Sequence, residues 1–303
     1  MITVTNLTKK FDRFVALNNI SCKIPEGCIY GLVGSNGAGK STLLRLITGI
    51  YRPESGSVEI DGQNVFDNPA AKNRLVFIPD ELFFLSRSNL LRMAKLYSAL
   101  YDRFSYEKFH KLTELFRLNP KANIGTFSKG MRRQAATILA LSCNSEYILF
   151  DETFDGLDPV MRNLLKDLLI ADVRERNATV VIASHSLREL EDTCDQLALL
   201  HKGGIIFESE IGNLKTSLFK VQVAFSDEFD RSRFDGIELR SFSKHGSVAS
   251  MIVRGDRAET EQKIRAMEPV LFEMLPLSLE EVFVYEMDAL GYAFADVLKQ
   301  EVQ

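Results

Sequence analysis

Residues Gly34-Ser35-Asn36-Gly37-Ala38-Gly39-Lys40-Ser41-Thr42 follow an apolar run, Ile29–Val33, and precede a helical pattern. The spacing G-x-x-x-x-G-K-[ST] suits the cradling of phosphate groups. Its glycines let several backbone N–H groups turn toward one point, where phosphate oxygens can sit. Lys40 adds a point charge for the terminal phosphates, and Ser41 offers a hydroxyl ligand for Mg²⁺. From Ser41 to Thr48, Leu43, Leu44 and Ile47 share one face, so a helix starts at the loop and Gly49 ends it.

A second group of residues could act on what the loop holds. Asp151 and Glu152 stand where the apolar run Tyr147–Phe150 ends, and ligands of open α/β sheets bind beyond the carboxyl ends of strands. Asp151 suits Mg²⁺ held through water, and Glu152 suits a general base that polarises the attacking water. His185 follows the run Thr179–Ala183 and precedes Ser186-Leu187-Arg188-Glu189, a capping-box pattern. Its imidazole could hydrogen-bond a terminal phosphate. Asp158-Pro159 reads as an N-cap with proline at the first helical position, and capping alone accounts for Asp158. His110, His201 and His245 have no comparable placement.

These residues need a scaffold. At 303 residues the chain is long enough for about two domains of the usual ~100–200 residues. Short β-rich runs alternate with helical patterns through about residue 215, as in βαβ units. Ile29–Val33, Arg74–Pro79, Tyr147–Phe150, Ala178–Ala183 and Leu197–His201 read as parallel strands covered on both faces. Between about 86 and 143 the apolar residues recur at helical spacing, which predicts a helical insertion. After Leu214 three strands, a charged helix (Asp256 to Glu268), a strand (Val270–Leu275) and a final helix from Ser278 predict a small α+β domain. Residues 1–215 and 216–303 are the expected division.

Composition narrows the functional classes. Apolar residues make up 46% and charged residues 26%, which excludes wholesale disorder. The net charge of −4 does not point to nucleic acid. It is also uneven, because residues 216–303 carry 10 Lys+Arg against 16 Asp+Glu and the rest of the chain is slightly basic. No stretch approaches the ~18 apolar residues of a spanning helix, and the first residues lack the apolar core of a signal peptide. Four scattered cysteines, Cys22, Cys28, Cys143 and Cys194, suit buried small hydrophobes better than disulfides or zinc. A cytosolic chain is the expectation.

Taken together, the motifs resemble those of the ATP-binding subunits of ATP-binding cassette (ABC) transporters over residues 1 to about 215. Phe127-Ser128-Lys129-Gly130-Met131-Arg132-Arg133-Gln134 is similar to that family's signature loop. The resemblance implies a P-loop NTPase fold of ABC type, α/β with a RecA-like core sheet plus a helical subdomain, ahead of the C-terminal α+β domain. It implies ATP and Mg²⁺ as cofactors, with ATP held by Phe11 stacking on adenine and by Ser35, Asn36, Gly37, Ala38, Gly39, Lys40, Ser41 and Thr42. Phe14 is a second candidate for the stack. Glu152 and His185 would be catalytic, and Ser41, Asp151 and Asp80 would touch the metal. Ser128, Gly130 and Asp158 would meet ATP held by a second copy, or by a related subunit, in a head-to-tail dimer. A separate transmembrane permease, peripheral placement on the inner face of the membrane and no direct nucleic-acid contact complete the expectation.

Some residues depart from the family pattern. Lys129 and Met131 replace a glycine and a glutamine of the signature, Asp80 stands at a usual glutamine, and Thr153 at a usual proline. The signature and Asp80 are similar to a bacterial subgroup that serves small exporters, as is the segment Pro276–Phe283. The alternative is a soluble ABC ATPase acting on nucleic acid or ribosomes. Against it stand a single cassette, no heptad tract and an acidic C-terminal domain. A phosphate-loop kinase or GTPase would leave the signature loop unexplained, and no Asn-Lys-x-Asp motif is present. The tail Asp288–Gln303 has helical spacing of Leu290, Phe294 and Val297, suited to packing on a partner or on its own domain.

Overall fold

Five of the chain's most apolar runs lie side by side in a six-stranded sheet. In the computed structural model, which describes residues 1–152, 154–212 and 218–289 with side chains through 285, the chain divides into two compact units, Met1–Glu208 and Ser209–Gln303. Each is described by itself. Thr153 and the spacing of Leu290, Phe294 and Val297 lie outside the described residues.

The first unit holds two sheets. Strands β1 (Ile2–Phe11), β2 (Phe14–Ile24), β4 (Ser55–Ile60) and β5 (Gln63–Asn64) form an antiparallel sheet in the order β2-β1-β4-β5. Strands β3 (Ile29–Val33), β6 (Leu75–Ile78), β7 (Tyr147–Asp151), β8 (Thr179–Ser184), β9 (Gln196–His201) and β10 (Gly204–Glu210) form the other, ordered β10-β9-β3-β8-β7-β6. The five from β9 to β6 run parallel. Every residue of β3, β7 and β8 is buried, as continuous apolar strands with both faces covered require.

Helix α1 (Lys40–Ile47) presents Leu43, Leu44, Leu46 and Ile47 to a core shared by both sheets, with Ile2, Val4 and Leu7 of β1 and Tyr30 and Leu32 of β3 in the same cluster. Helix α2 (Pro69–Asn73) begins at the Asn68 cap. Helices α3 (Leu90–Leu100), α4 (Tyr106–Leu115) and α5 (Lys129–Ser142) make the helical part, each opened by a side chain that accepts a backbone N–H: Asn89, Ser105 and Ser128. Helix α6 (Pro159–Arg176) follows the Asp158 cap, and the short α7 (Leu187–Glu191) follows β8. Lys108 of α4 and Arg176 of α6 both bind the buried Asp172 carboxylate, at 2.6 and 2.7 Å, which anchors α4 to α6.

The second unit is an antiparallel sheet in the order β12-β13-β11-β14, built from β11 (Leu218–Ala224), β12 (Leu239–His245), β13 (Val248–Arg254) and β14 (Leu271–Pro276). Alternate residues Phe219, Val221 and Val223 face a core with Met251, Val253, Phe234 and Ile264, the last from helix α8 (Arg257–Arg265). Helix α9 (Leu279–Ala289) opens with a true capping box: Ser278 N–H donates to Glu281 at 3.0 Å, and Glu281 N–H donates back to the Ser278 hydroxyl at 3.2 Å.

The box expected at Ser186 does not form. Ser186 makes no side-chain cap. The buried Ser184 hydroxyl at the end of β8 accepts the Ser186 N–H at 3.0 Å and donates to Glu189 at 2.8 Å, so the carboxylate meant for the cap is already engaged.

All four cysteines are free and buried. Burial pushes the Cys22 thiol up to about 12 and Cys28 up to about 11, and raises Cys143 and Cys194 as well. Thiolate is the reactive form, so iodoacetamide at pH 8 should leave the native chain unlabelled over minutes. The same reagent should modify all four positions in denaturant. Mass spectrometry of both samples checks this, and rapid native labelling would contradict the burial.

Candidate functional site

The loop Gly34–Gly39 leaves the carboxyl end of β3 and delivers the chain into α1. Gly39 takes φ = 110°, and a Cβ there would sit 2.7 Å from Leu17 and 2.8 Å from the Ala16 carbonyl. Only glycine satisfies both the left-handed backbone and that approach. Lys40 is 5% exposed. Its ammonium donates to the Gly34 carbonyl at 2.6 Å and the Ser35 carbonyl at 3.3 Å, and stands 3.5 Å from Glu152 Oε1. Together with the N–H groups at the α1 N-terminus, this arrangement suits an anion.

A cleft of about 260 Å³ opens above the loop, lined by Asn36, Gly37, Ala38, Gly39, Lys40, Ser41 and Thr42 with Phe11, Phe14, Ala16, Asp80 and Glu152. Phe11 and Phe14 pair across the β1–β2 hairpin. Phe11 is steadied edge-on by Tyr51 at 5.4 Å, whereas Phe14 is 63% exposed.

Glu152 is held from three sides. Its N–H donates to the Ala183 carbonyl at 2.9 Å, its Oε2 meets His185 Nδ1 at 2.9 Å, and its Oε1 faces Lys40. It adopts φ = 51°, a left-handed backbone that costs a non-glycine residue energy and is kept at sites where geometry matters.

Asp151 lies beneath. It is 1% exposed, and both carboxylate oxygens are buried without a hydrogen bond. Burial pushes this carboxyl above its ordinary range and nearby Asp80 adds to the rise, while the Ser41 hydroxyl and the charges of Arg45 and Lys40 pull the other way. A buried carboxylate that faces the Ser41 hydroxyl and meets no closer donor fits a cation. Among the described residues no group of three or more His, Cys, Asp or Glu could cage a metal unaided. That fits Mg²⁺, which keeps most of its ligands from waters and phosphates.

Ser128, Gly130 and Asp158 do not line this cleft. Ser128 accepts the Met131 N–H at 3.2 Å, and Asp158 accepts the Met161 N–H at 2.9 Å, so each caps its helix. The two helix starts meet through the loop after β7: a Cβ on Gly130 would lie 2.6 Å from the Gly156 carbonyl. Lys129 bridges to Asp155 at 2.5 Å beside that approach.

Sequence reasoning passed over Arg133. It is 1% exposed, donates to Asp80 Oδ1 at 2.8 Å and to the Pro79 carbonyl at 3.1 Å. The available signal was the spacing of Lys129 and Arg133, four apart on one helix face, opposite acids at two strand-end loops.

The family model described as "ABC transporter" matches residues 17–155. The bacitracin transport ATP-binding protein BcrA of Bacillus licheniformis is 32% identical over 220 residues, 71% of each chain. The ABC transporter ATP-binding protein YtrB of Bacillus subtilis is 27% identical over 285 residues, covering 94% of this chain and 97% of its own. Among solved structures, a dimeric ATP-binding cassette bound to ADP and Pi in a post-hydrolysis state is similar in fold, with TM-score 0.62 and 24% identity over 70% of this chain and 99% of that one.

The Gly130 contact yields a prediction. Gly130→Ala should force α5 away from Gly156 and destabilise the chain by roughly 1–3 kcal/mol, the usual cost of overpacking. Urea unfolding measures it, and an unchanged midpoint would show that the loop yields freely.

Proposed function

This chain belongs to the ATP-binding proteins of ABC transporters, a family of ATP hydrolases, and on that premise we propose residue roles for its cleft and a transport assembly around it. The observation that carries the assignment is the convergence of Lys40 and His185 on Glu152, directly above the unsatisfied carboxylate of Asp151. Phosphates of ATP occupy the N–H groups of Gly37 to Thr42 and take the Lys40 ammonium, and Phe11 stacks on the adenine. Ser41 and Asp151 hold Mg²⁺, which neutralises charge on the transferring phosphoryl group.

Glu152 accepts a proton from the attacking water as general base. His185, hydrogen-bonded to it, orients that carboxylate and reaches toward the terminal phosphate. Ser128, Gly130 and Asp158 act on a neighbouring subunit's nucleotide, since both helix starts are free of their own cleft and carry N-terminal dipoles. A second copy or a related subunit, apposed head to tail, supplies the same groups in return.

The membrane partner is a separate permease, so the chain works at the inner face of the membrane, and export is the direction. No helix among the described residues is long and apolar enough to cross a membrane. The relative BcrA is itself named for bacitracin transport.

Replacing Glu152 by Gln should leave ATP binding within about threefold and lower hydrolysis by at least ~10²-fold. It should also shift the ATP-bound chain to dimer size in gel filtration. Turnover at the wild-type rate would remove Glu152 from its role as base.

A further inference from the structure

Helix α5 holds two acids at once. Its Lys129 ammonium meets Asp155, four residues beyond the end of β7, and its Arg133 guanidinium meets Asp80, just beyond β6. Strands β6 and β7 are neighbours in the sheet, so the two loops leave the same edge of the core and are gripped by one face of one helix.

The Arg133 pair is unusual in its burial. The guanidinium is 1% exposed, whereas the Asp80 side chain is 53% exposed and lines the nucleotide cleft. Arg133 Nε is buried with no hydrogen bond. The buried cation hydrogen-bonds one carboxylate at the cleft rim and the Pro79 carbonyl, with the more distant Asp155 charge also within electrostatic reach. A carboxylate bound in this way has one oxygen committed to the guanidinium.

We propose that Asp80 and Arg133 are positioning residues: the pair ties the cleft rim to α5, so that the helix bearing Ser128 and Gly130 is set by the state of the loop after β6, and Asp80 does not serve as a metal ligand. The claim about α5 rests on the proposed role of its N-terminus toward a neighbouring subunit's nucleotide. The Lys129–Asp155 pair, exposed at the far end of the same face, keeps the helix start in register with the loop after Glu152.

Burial sets an asymmetry that a metal ligand would not show. Without the guanidinium, a half-exposed carboxylate is left to water. Without the carboxylate, a buried charge loses its hydrogen-bonded counter-ion and keeps only the more distant Asp155, the costlier change. The rim substitution is thus more damaging than the core one.

The test uses the full chain with Asp80→Asn, Arg133→Met and the double variant. Thermal unfolding without nucleotide or metal should fall by several degrees more for Asp80→Asn than for Arg133→Met. The double variant should recover most of the difference, because the two changes couple. In ATPase assays both single variants should lose about tenfold in kcat, with KM and the stoichiometry of a bound fluorescent ATP analogue unchanged. Half-saturating Mg²⁺ should move less than about twofold, since no metal ligand is lost.

A tenfold rise in half-saturating Mg²⁺ for Asp80→Asn alone would overturn the proposal and make Asp80 a metal ligand. Additive effects in the double variant would overturn it equally. If the Glu152 assignment fails instead, the unfolding cycle still decides the pair, because it needs neither ATP nor hydrolysis.

Discussion

The site depends on holding the N-terminus of α1 still. An anion site made of backbone N–H groups works only while those groups keep their aim, and loops by themselves do not keep it. Here the helix is wedged between the antiparallel sheet and one face of the parallel sheet, with four side chains in a core drawn from both. The cost of moving α1 is the cost of opening that core, at ~1.5–3 kcal/mol for each large apolar side chain exposed. The N-terminal sheet therefore contributes Phe11 to the cleft wall and also clamps the helix that binds phosphate.

The two carboxylates illustrate how one strand end yields different chemistry from adjacent residues. Asp151 is the last residue of β7 and stays in the sheet's interior, facing the Ser41 hydroxyl. One residue on, the backbone turns left-handed and swings Glu152 into contact with Lys40 and His185. The first is buried, as suits the proposed cation ligand, and the second keeps partial solvent access, as suits the proposed base.

What was legible in the sequence divides along physical lines. Strands β3, β6, β7, β8 and β9 were readable because burial on both faces demands unbroken apolar runs. The strands β1 and β2 were not foreseen. One face of each is solvated, and bulges interrupt the alternation, as between Val4 and Leu7, so polar Thr, Asn and Lys dilute the period-two signal. The phosphate loop was legible from its spacing, and the acidic pair from its place at a strand end beside such a loop, but Arg133 was not. An arginine in Lys-Gly-Met-Arg-Arg-Gln reads as a solvated helix face, and only the fold brings Asp80 over it. Ser186 failed for the converse reason: its local pattern was right, but a hydroxyl two residues upstream in the chain and deeper in the sheet competed for the same partner.

The Lys40–Glu152 contact carries a consequence of its own. The cation that grips phosphate and the base that would activate water neutralise each other across 3.5 Å. Each group masks the other, like a safety catch. If Lys40 and Glu152 act as proposed, arriving phosphate oxygens would compete for the ammonium and unmask the carboxylate. On the proposed roles, a single shared lysine would couple readiness for hydrolysis to occupancy of the cleft.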